Sequence, residues 1–148
     1  LESFLAEGGM GAVWTSKHVL LGRTFAVKFL KAPDQAPIHA ERFVREARMA
    51  ASVQHRCVVS LFDFGTTEDG ELFMVMERLE GENLGRRLAE APPLTVRALC
   101  ELLAEVLGGL AAVHEQGIVH RDLKPENIFL VREAGGTYPK LLDFGISR

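Results

Sequence analysis

The hydrophobic pattern of this chain changes its period near residue 80, and that change limits the fold more than any other feature. Before residue 80, short runs of β-branched and aromatic residues predict strands, over residues 13–15, 25–30, 61–64 and 72–76. After Thr95, which suits a helix N-cap, leucines and valines recur at helical spacing as far as Gly117. The sequence therefore predicts a strand-rich part followed by a helical part.

The strand-rich part also contains one helical pattern and several turn signals. Residues 40–53 predict a helix with an apolar face of small and aromatic residues, at Phe43, Ala47, Ala50 and Ala51. Two prolines predict a loop over residues 32–37, and the Asp69-Gly70 pair predicts a hairpin turn. The boundary between the two parts is predicted where the pattern is interrupted, at Gly81, Gly85, Pro92 and Pro93.

Composition excludes several classes of protein. The 148 residues are 47% hydrophobic and 25% charged with a net charge of −3, which indicates one or two globular domains and disfavours a nucleic-acid binder. Cys57 and Cys100 form no CxxC pair, so neither a zinc site nor a disulfide framework is expected. Two unpaired cysteines instead predict a cytoplasmic location. The most apolar stretch, residues 96–113, carries charges and is not a membrane segment. An anchor elsewhere in a longer parent protein is left open.

A glycine-rich segment lies between two predicted strands, with the sequence AEGGMGAV over residues 6–13. Glycines let backbone N–H groups approach phosphate oxygens closely, although a tight hairpin turn explains the same pattern. The next predicted strand contains Phe-Ala-Val-Lys, with Lys28 as the lysine. A lysine among apolar residues needs an anionic partner, unless its ammonium simply reaches the surface. Glu46 could be that partner, although the arginines around it also fit a solvated helix face.

Two further segments concentrate polar chemistry after apolar residues. Residues 118–127 read IVHRDLKPEN, which places a carboxylate, an ammonium and an amide within six residues of one predicted loop. This segment is too specific to be an ordinary loop. Residues 141–145 read LLDFG, which places Asp143 directly after a short predicted strand. The carboxylate of Asp143 suits Mg²⁺. Alone, an Asp-x-Gly turn of this kind is common.

The order of these segments is informative. The whole chain resembles the protein kinase catalytic domain, because its segments follow the same order. That order is a glycine-rich loop, a strand lysine, a helix glutamate, HRDLKPEN and DFG. The segment GGMGAVW is most similar to the eukaryotic-like Ser/Thr kinases of bacteria. The resemblance implies an α+β, protein-kinase-like bilobal fold. Residues 1–79 would form a small antiparallel-sheet lobe with one helix and the hinge, and residues 80–148 the start of a mainly helical lobe.

The resemblance also implies site roles, with ATP and Mg²⁺ as cofactors. Lys28, oriented by Glu46, would hold the ATP phosphates, while Asn127 and Asp143 would bind magnesium. Asp122 would accept or orient the proton of the substrate hydroxyl, and Lys124 would neutralise the transferred phosphoryl group. The other nucleotide contacts would come from the glycine-rich loop, the strands and the hinge, at Leu5, Gly8, Gly9, Gly11, Val13, Ala26, Met76, Glu77, Leu79 and Phe129.

The chain departs from the family pattern in three places. Ala6 stands where the first loop glycine is usual, and Ala50 is small for its position. The chain also stops soon after the DFG segment, so we expect a second apolar face of the long helix to be exposed.

The sequence leaves three functional hypotheses. The first is an ATP-dependent kinase that transfers the γ-phosphoryl group to Ser/Thr hydroxyls of proteins, with residues 1–148 alone expected to be inactive. The second is a pseudokinase, a nucleotide-binding or scaffolding module without transfer activity. The third is a chain of this length that only binds partners. Nucleic acid is excluded as a partner, while homodimerisation and autophosphorylation in trans are left open.

Overall fold

The structure is a computed structural model that describes residues 1–8, 11–20, 22–30 and 36–143, with the side chains of residues 36–43 left aside. Four residues of the expected motifs, Gly9, Met10, Phe144 and Gly145, lie outside the described residues. The described chain divides into two compact units. Unit 1 contains residues 1–51 and 60–78, and unit 2 contains residues 52–59 and those from Leu79 onwards. The segment between the helix and the fourth strand therefore belongs to unit 2.

Within the described residues, unit 1 contains an antiparallel sheet of five strands in the order β1-β2-β3-β5-β4. The strands are β1 (Ser3–Gly8), β2 (Gly11–Lys17), β3 (Thr24–Leu30), β4 (Leu61–Thr66) and β5 (Leu72–Glu77). All four strand runs predicted from the sequence are confirmed. The predicted hairpin turn at Asp69-Gly70 is also confirmed, because Gly70 has a φ of 86° and its N–H donates to the Thr67 carbonyl.

The helix of unit 1, α1 (Ala36–Ser52), begins four residues before the predicted start. The prediction of a loop as far as Pro37 was therefore wrong at its end. Proline is tolerated in the first helical turn because its missing N–H would have no partner there. The predicted apolar face is confirmed at Ala47 and Ala50, which are fully buried.

Unit 2 contains, within the described residues, a second antiparallel sheet in the order β6-β7-β8 and two α-helices. The elements are β6 (Gly81–Asn83), α2 (Leu84–Glu90), α3 (Val96–Glu115), a 3-10 turn (Pro125–Asn127), β7 (Ile128–Glu133) and β8 (Gly136–Leu141). The sequence did not predict β6 or α2, because Gly81 and Gly85 interrupt the local pattern. Gly85 lies inside α2, whose first turn is capped by the Asn83 side chain: its Oδ1 accepts the Arg86 N–H at 2.8 Å.

The long helix α3 has the bounds that its pattern predicts. Thr95 Oγ1 accepts the Ala98 N–H at 3.2 Å, and Gly117 follows the helix with a φ of 73°. The expected exposed apolar face is confirmed by a stripe along the helix, at Val96, Leu99, Leu103 and Leu107. Across the described ranges, no helix combines the length and the apolar character that crossing a membrane requires.

The core of unit 2 joins α3, β8 and the segment 57–59. Its largest fully buried side chains are Leu141, Val58 and Val113. Val58 and Leu141 form a parallel bridge, and Gly109 of α3 lies directly against the Cys57 carbonyl. This core holds the strand that leads to Asp143.

Candidate functional site

In unit 1, strand register aligns several predicted nucleotide-binding residues. Lys28 of β3 lies opposite Val13 of β2, and Ala26 of β3 lies opposite Met76 of β5. Directly opposed residues in antiparallel strands share a face, and so do residues two apart on one strand. Val13, Ala26, Lys28 and Met76 therefore lie on one face of the sheet. Lys28 is only 6% exposed, so its ammonium does not snorkel to the surface.

The glycine-rich hairpin depends on Gly11 for its geometry. Gly11 has a φ of 143°, and a Cβ built on it would lie 1.8 Å from the Phe29 carbonyl oxygen. Only glycine permits this approach of β2 to β3. A Cβ added to Gly8 would meet no heavy atom within 4 Å, so the space beside Gly8 is open. Leu5 and Ala6 are exposed in β1, where the pairing with β2 shifts register between Phe4 and Ala6.

Glu46 differs from the arginines that flank it. Glu46 is half-buried on α1, whereas Arg45 and Arg48 are exposed. A carboxylate that is partly withdrawn from water does not belong to a uniformly solvated face. Lys28 and Glu46 both belong to unit 1, and their pairing stays a prediction.

Glu77 lies within the expected hinge, residues 75–79, and its contacts fix the start of β4. Its N–H donates to the Ser60 carbonyl at 3.1 Å, and its Oε1 accepts the Ser60 N–H at 2.7 Å. Leu79 is half-buried at the start of the second stretch of unit 2. In the same unit Phe129, on β7, is half-buried between its strand partners Asn83 and Lys140.

In unit 2, the loop after α3 gathers two polar side chains on one carboxylate. Lys124 Nζ donates to Asp122 Oδ2 at 2.7 Å, and Asn127 Nδ2 donates to the same oxygen at 2.9 Å. Asn127 Nδ2 also donates to the Asp122 backbone carbonyl at 2.8 Å. Both side-chain bonds go to Oδ2, and Oδ1 can accept a further hydrogen bond.

The electrostatics of this loop follow from those contacts. The hydrogen bond from Lys124 holds the pKa of Asp122 below its usual range, and Asn127 acts in the same direction. The same bond raises the pKa of Lys124, with further contributions from the Glu126 and Asp143 carboxylates. Asp122 is thus a charged carboxylate and Lys124 a charged ammonium near neutral pH. The pair favours orienting and neutralising roles over strong general-base catalysis.

The backbone of this region adopts unusual conformations at two positions. Arg121 has a φ of 63° and Asp143 a φ of 54°, and neither residue is glycine. Such residues persist only where their surroundings fix them, and they concentrate at functional sites. His120 is 2% exposed before Arg121, and burial lowers its pKa. It is therefore a neutral, buried support for the loop at neutral pH.

Asn127 and Asp143 fit a magnesium site by the chemistry of their donor atoms. The Leu142 N–H donates to the Asn127 carbonyl at 2.9 Å, which places the residue before Asp143 beside Asn127. Within the described part of the chain, no group of three or more His, Cys, Asp or Glu side chains gathers as a metal cage. Mg²⁺ is commonly held by one or two protein oxygens together with phosphates and water. One carboxylate and one amide oxygen agree with that mode of binding.

Lys140 was not predicted from the sequence to lie near the site. It lies on β8, it is 6% exposed, and its Nζ donates to the Val58 carbonyl at 3.2 Å. The signal was present, because Lys140 is flanked by Pro139 and Leu141 much as Lys28 is flanked by apolar residues.

Comparison with known proteins agrees with this arrangement. The family profile described as Protein kinase domain matches residues 1–148. The chain is 48% identical over 145 residues to serine/threonine-protein kinase pkn2 of Myxococcus xanthus, covering 97% of this chain and 17% of pkn2. It is 36% identical over 148 residues to serine/threonine-protein kinase PknH of Mycobacterium tuberculosis, covering 99% of this chain and 23% of PknH.

A solved structure is also similar. The PknI kinase domain of Mycobacterium tuberculosis matches with a TM-score of 0.84 and 28% sequence identity, over 99% of this chain and 58% of that domain. The chain belongs to the protein kinase family. Within that family it is similar to bacterial serine/threonine-protein kinases, of whose length it spans about a fifth. The α+β protein-kinase fold predicted from the sequence is confirmed.

Proposed function

We propose that the protein carrying this chain is an ATP-dependent serine/threonine-protein kinase. The observation that supports it most is the convergence of Lys124 and Asn127 on Asp122 Oδ2. Phosphoryl transfer needs positioned charge more than covalent chemistry, and this loop supplies a carboxylate, an ammonium and an amide in fixed relation.

The loop groups have distinct proposed roles. Asp122 Oδ1 accepts the hydrogen bond of the substrate hydroxyl and orients its oxygen for attack. Lys124 neutralises charge that develops on the phosphoryl oxygens during transfer. Asn127, which is held by two hydrogen bonds to Asp122, and Asp143 would hold Mg²⁺ through their side-chain oxygens. When bound, Mg²⁺ would neutralise charge on the phosphate oxygens.

The unit 1 groups are proposed to bind ATP. Val13, Ala26 and Met76 lie on the same face of the sheet as Lys28, so an adenine ring and phosphates can be contacted from that face. Lys28, oriented by Glu46, binds the α- and β-phosphates. Gly8, Gly9 and Gly11 cover the phosphates, and Leu5 adds an apolar contact. Glu77, in the hinge expected within residues 1–79, reads the adenine edge. From unit 2, Phe129 adds an apolar contact and Leu79 also reads the adenine edge. Lys124 and the names of the relatives favour Ser/Thr hydroxyls of proteins as the acceptor.

The test is transfer of the labelled γ-phosphoryl group of ATP by the intact protein to itself or to a generic protein substrate. Wild type should yield phosphoserine or phosphothreonine. Asp122→Asn should still bind Mg-ATP but lose transfer by at least about 10²-fold, which misplacement of a reacting group can cost. Lys17→Met, at an exposed position on β2, is the matched control and should behave as wild type.

Nucleotide binding without transfer in wild type would identify a pseudokinase. Transfer that survives Asp122→Asn unchanged would refute the role proposed for the loop.

A further inference from the structure

Lys140 is a buried cation to which the proposed reaction gives no part. Its side chain is 6% exposed, the same fraction as that of Lys28. Its Nζ donates to the backbone carbonyl of Val58 at 3.2 Å, across 82 positions of sequence. A charged group is rarely buried without a specific role for its contacts.

The contact reinforces a junction between β8 and the segment 57–59. The Leu141 N–H donates to the Cys57 carbonyl at 2.8 Å, and the Val59 N–H donates to the Leu141 carbonyl at 3.0 Å. Lys140 adds a side-chain bond to the carbonyl between these two residues. On the exposed side of the same junction, Arg56 lies 4.2 Å from the centre of the Tyr138 ring and pairs with Glu133 at 3.2 Å.

Stability alone does not explain a lysine at this place. Desolvating an ammonium costs several kcal/mol, and replacing buried charged groups by apolar ones of similar volume is often neutral or stabilising. A methionine would fill the same space. Unlike a methionine, the ammonium can donate a hydrogen bond, which fixes the distance between β8 and one carbonyl of the segment 57–59.

The junction lies next to the groups proposed to hold Mg²⁺. β8 ends at Leu141, two residues before Asp143. The Leu141 backbone is bonded to Cys57 and Val59, and the Leu142 N–H is bonded to the Asn127 carbonyl. Asp143 follows with a φ of 54°, a conformation that depends on well-fixed neighbours. A shift of β8 would therefore move Asp143 relative to Asn127.

We propose that Lys140 is a positioning residue for the metal-binding carboxylate. By fastening β8 to the carbonyl of Val58, it fixes the backbone that presents Asp143. The inference rests on the proposed function for its consequence in catalysis, but the fastening itself is independent of that function.

The fastening is tested by hydrogen exchange in the intact protein without nucleotide. Lys140→Met should make the amides of Val59 and Leu141 exchange at least about ten-fold faster, because a bond to a charged donor is lost. Lys17→Met, which removes an exposed lysine, should leave both rates unchanged. Equal or slower exchange in Lys140→Met would overturn the proposal, whatever the protein does with ATP. If Lys140→Met does not fold, Lys140→Gln takes its place with the same expected direction.

The consequence for the site is tested by nucleotide affinity with and without magnesium. Lys140→Met should weaken Mg-ATP binding about ten-fold, as loss of a group that supports a metal ligand typically does. Binding of ATP in excess EDTA should be unchanged, which separates a lost metal position from general loss of structure. Wild-type Mg-ATP affinity in Lys140→Met would refute the positioning role and leave the proposed function standing. Absence of Mg-ATP binding in wild type would instead refute the proposed function, while the exchange result would still decide the fastening.

Discussion

Gly108 and Gly109 are neighbours in α3, yet replacing each with alanine should affect the free energy of unfolding differently, because only Gly108→Ala should be stabilising. A Cβ on Gly108 would have the His55 ring as its nearest neighbour, at 3.8 Å, which is an ordinary contact. A Cβ on Gly109 would lie 2.8 Å from the Cys57 carbonyl oxygen, and the obstacle is backbone. The first site accepts a methyl group, and the second does not without moving the segment 57–59.

The magnitudes follow from two opposing effects. Alanine in place of glycine within a helix gains about 1 kcal/mol at either position. At Gly109 that gain is opposed by overpacking, which costs about 1–3 kcal/mol in a well-packed core. Gly108→Ala should therefore stabilise by about 1 kcal/mol, whereas Gly109→Ala should be neutral to destabilising by about 2 kcal/mol.

The assay is equilibrium urea unfolding of the two variants and wild type, followed by far-ultraviolet circular dichroism. Unchanged slopes with shifted midpoints would report stability alone. Equal stabilisation by both substitutions would refute the packing of α3 against Cys57, and with it the core that holds β8.

Two further stability predictions come from other parts of the fold. Gly11→Ala should destabilise the fold by more than about 3 kcal/mol, because the new Cβ would overlap the Phe29 carbonyl at a positive φ. Gly8→Ala should change stability little, because the space beside Gly8 is open. Equal urea midpoints for the two variants would contradict this. His120, whose pKa is lowered by burial, stays neutral in the folded state while the unfolded chain takes up a proton below about pH 6.5. Stability should therefore fall as the pH drops from about 6.5 towards the folded pKa of His120. The measurement is the urea midpoint at about pH 7.5 and at about pH 5.5. The decrease between the two pH values should be smaller in His120→Phe than in wild type, because the variant lacks the titrating imidazole.

Periodicity was enough to predict most of the elements. The strands of unit 1 and the bounds of α3 follow from local patterns, since each is set by which face its own residues bury. The short helix α2 was missed because Gly85 has low helix propensity, and the Asn83 cap that starts the helix outweighs that preference. The early start of α1 was missed because proline breaks a helix in its interior but is tolerated in its first turn.

The candidate site could be predicted from the sequence only as a set of residues. Local patterns carry no information on the pairing of Val58 with Leu141, because these residues are far apart in the chain and the bridge between them is a tertiary contact. For the same reason the segment 52–59 could not be assigned to unit 2 from its position after α1. The convergence of Lys124 and Asn127 on one oxygen of Asp122 is likewise a property of the folded loop.

The proposed function requires Lys28 to bind the phosphates of ATP and Asp143 to bind Mg²⁺. The direct measurement is the Mg-ATP dissociation constant of the intact protein for wild type, Lys28→Met, Asp143→Asn and the control Lys17→Met. Wild type with nucleotide at about 100 times the dissociation constant should gain about 2.7 kcal/mol of stability. Both site variants should bind more weakly, and Asp143→Asn alone should lose the dependence on Mg²⁺, with Lys17→Met unchanged. Unchanged binding by either site variant, or no binding by wild type, would contradict these assignments.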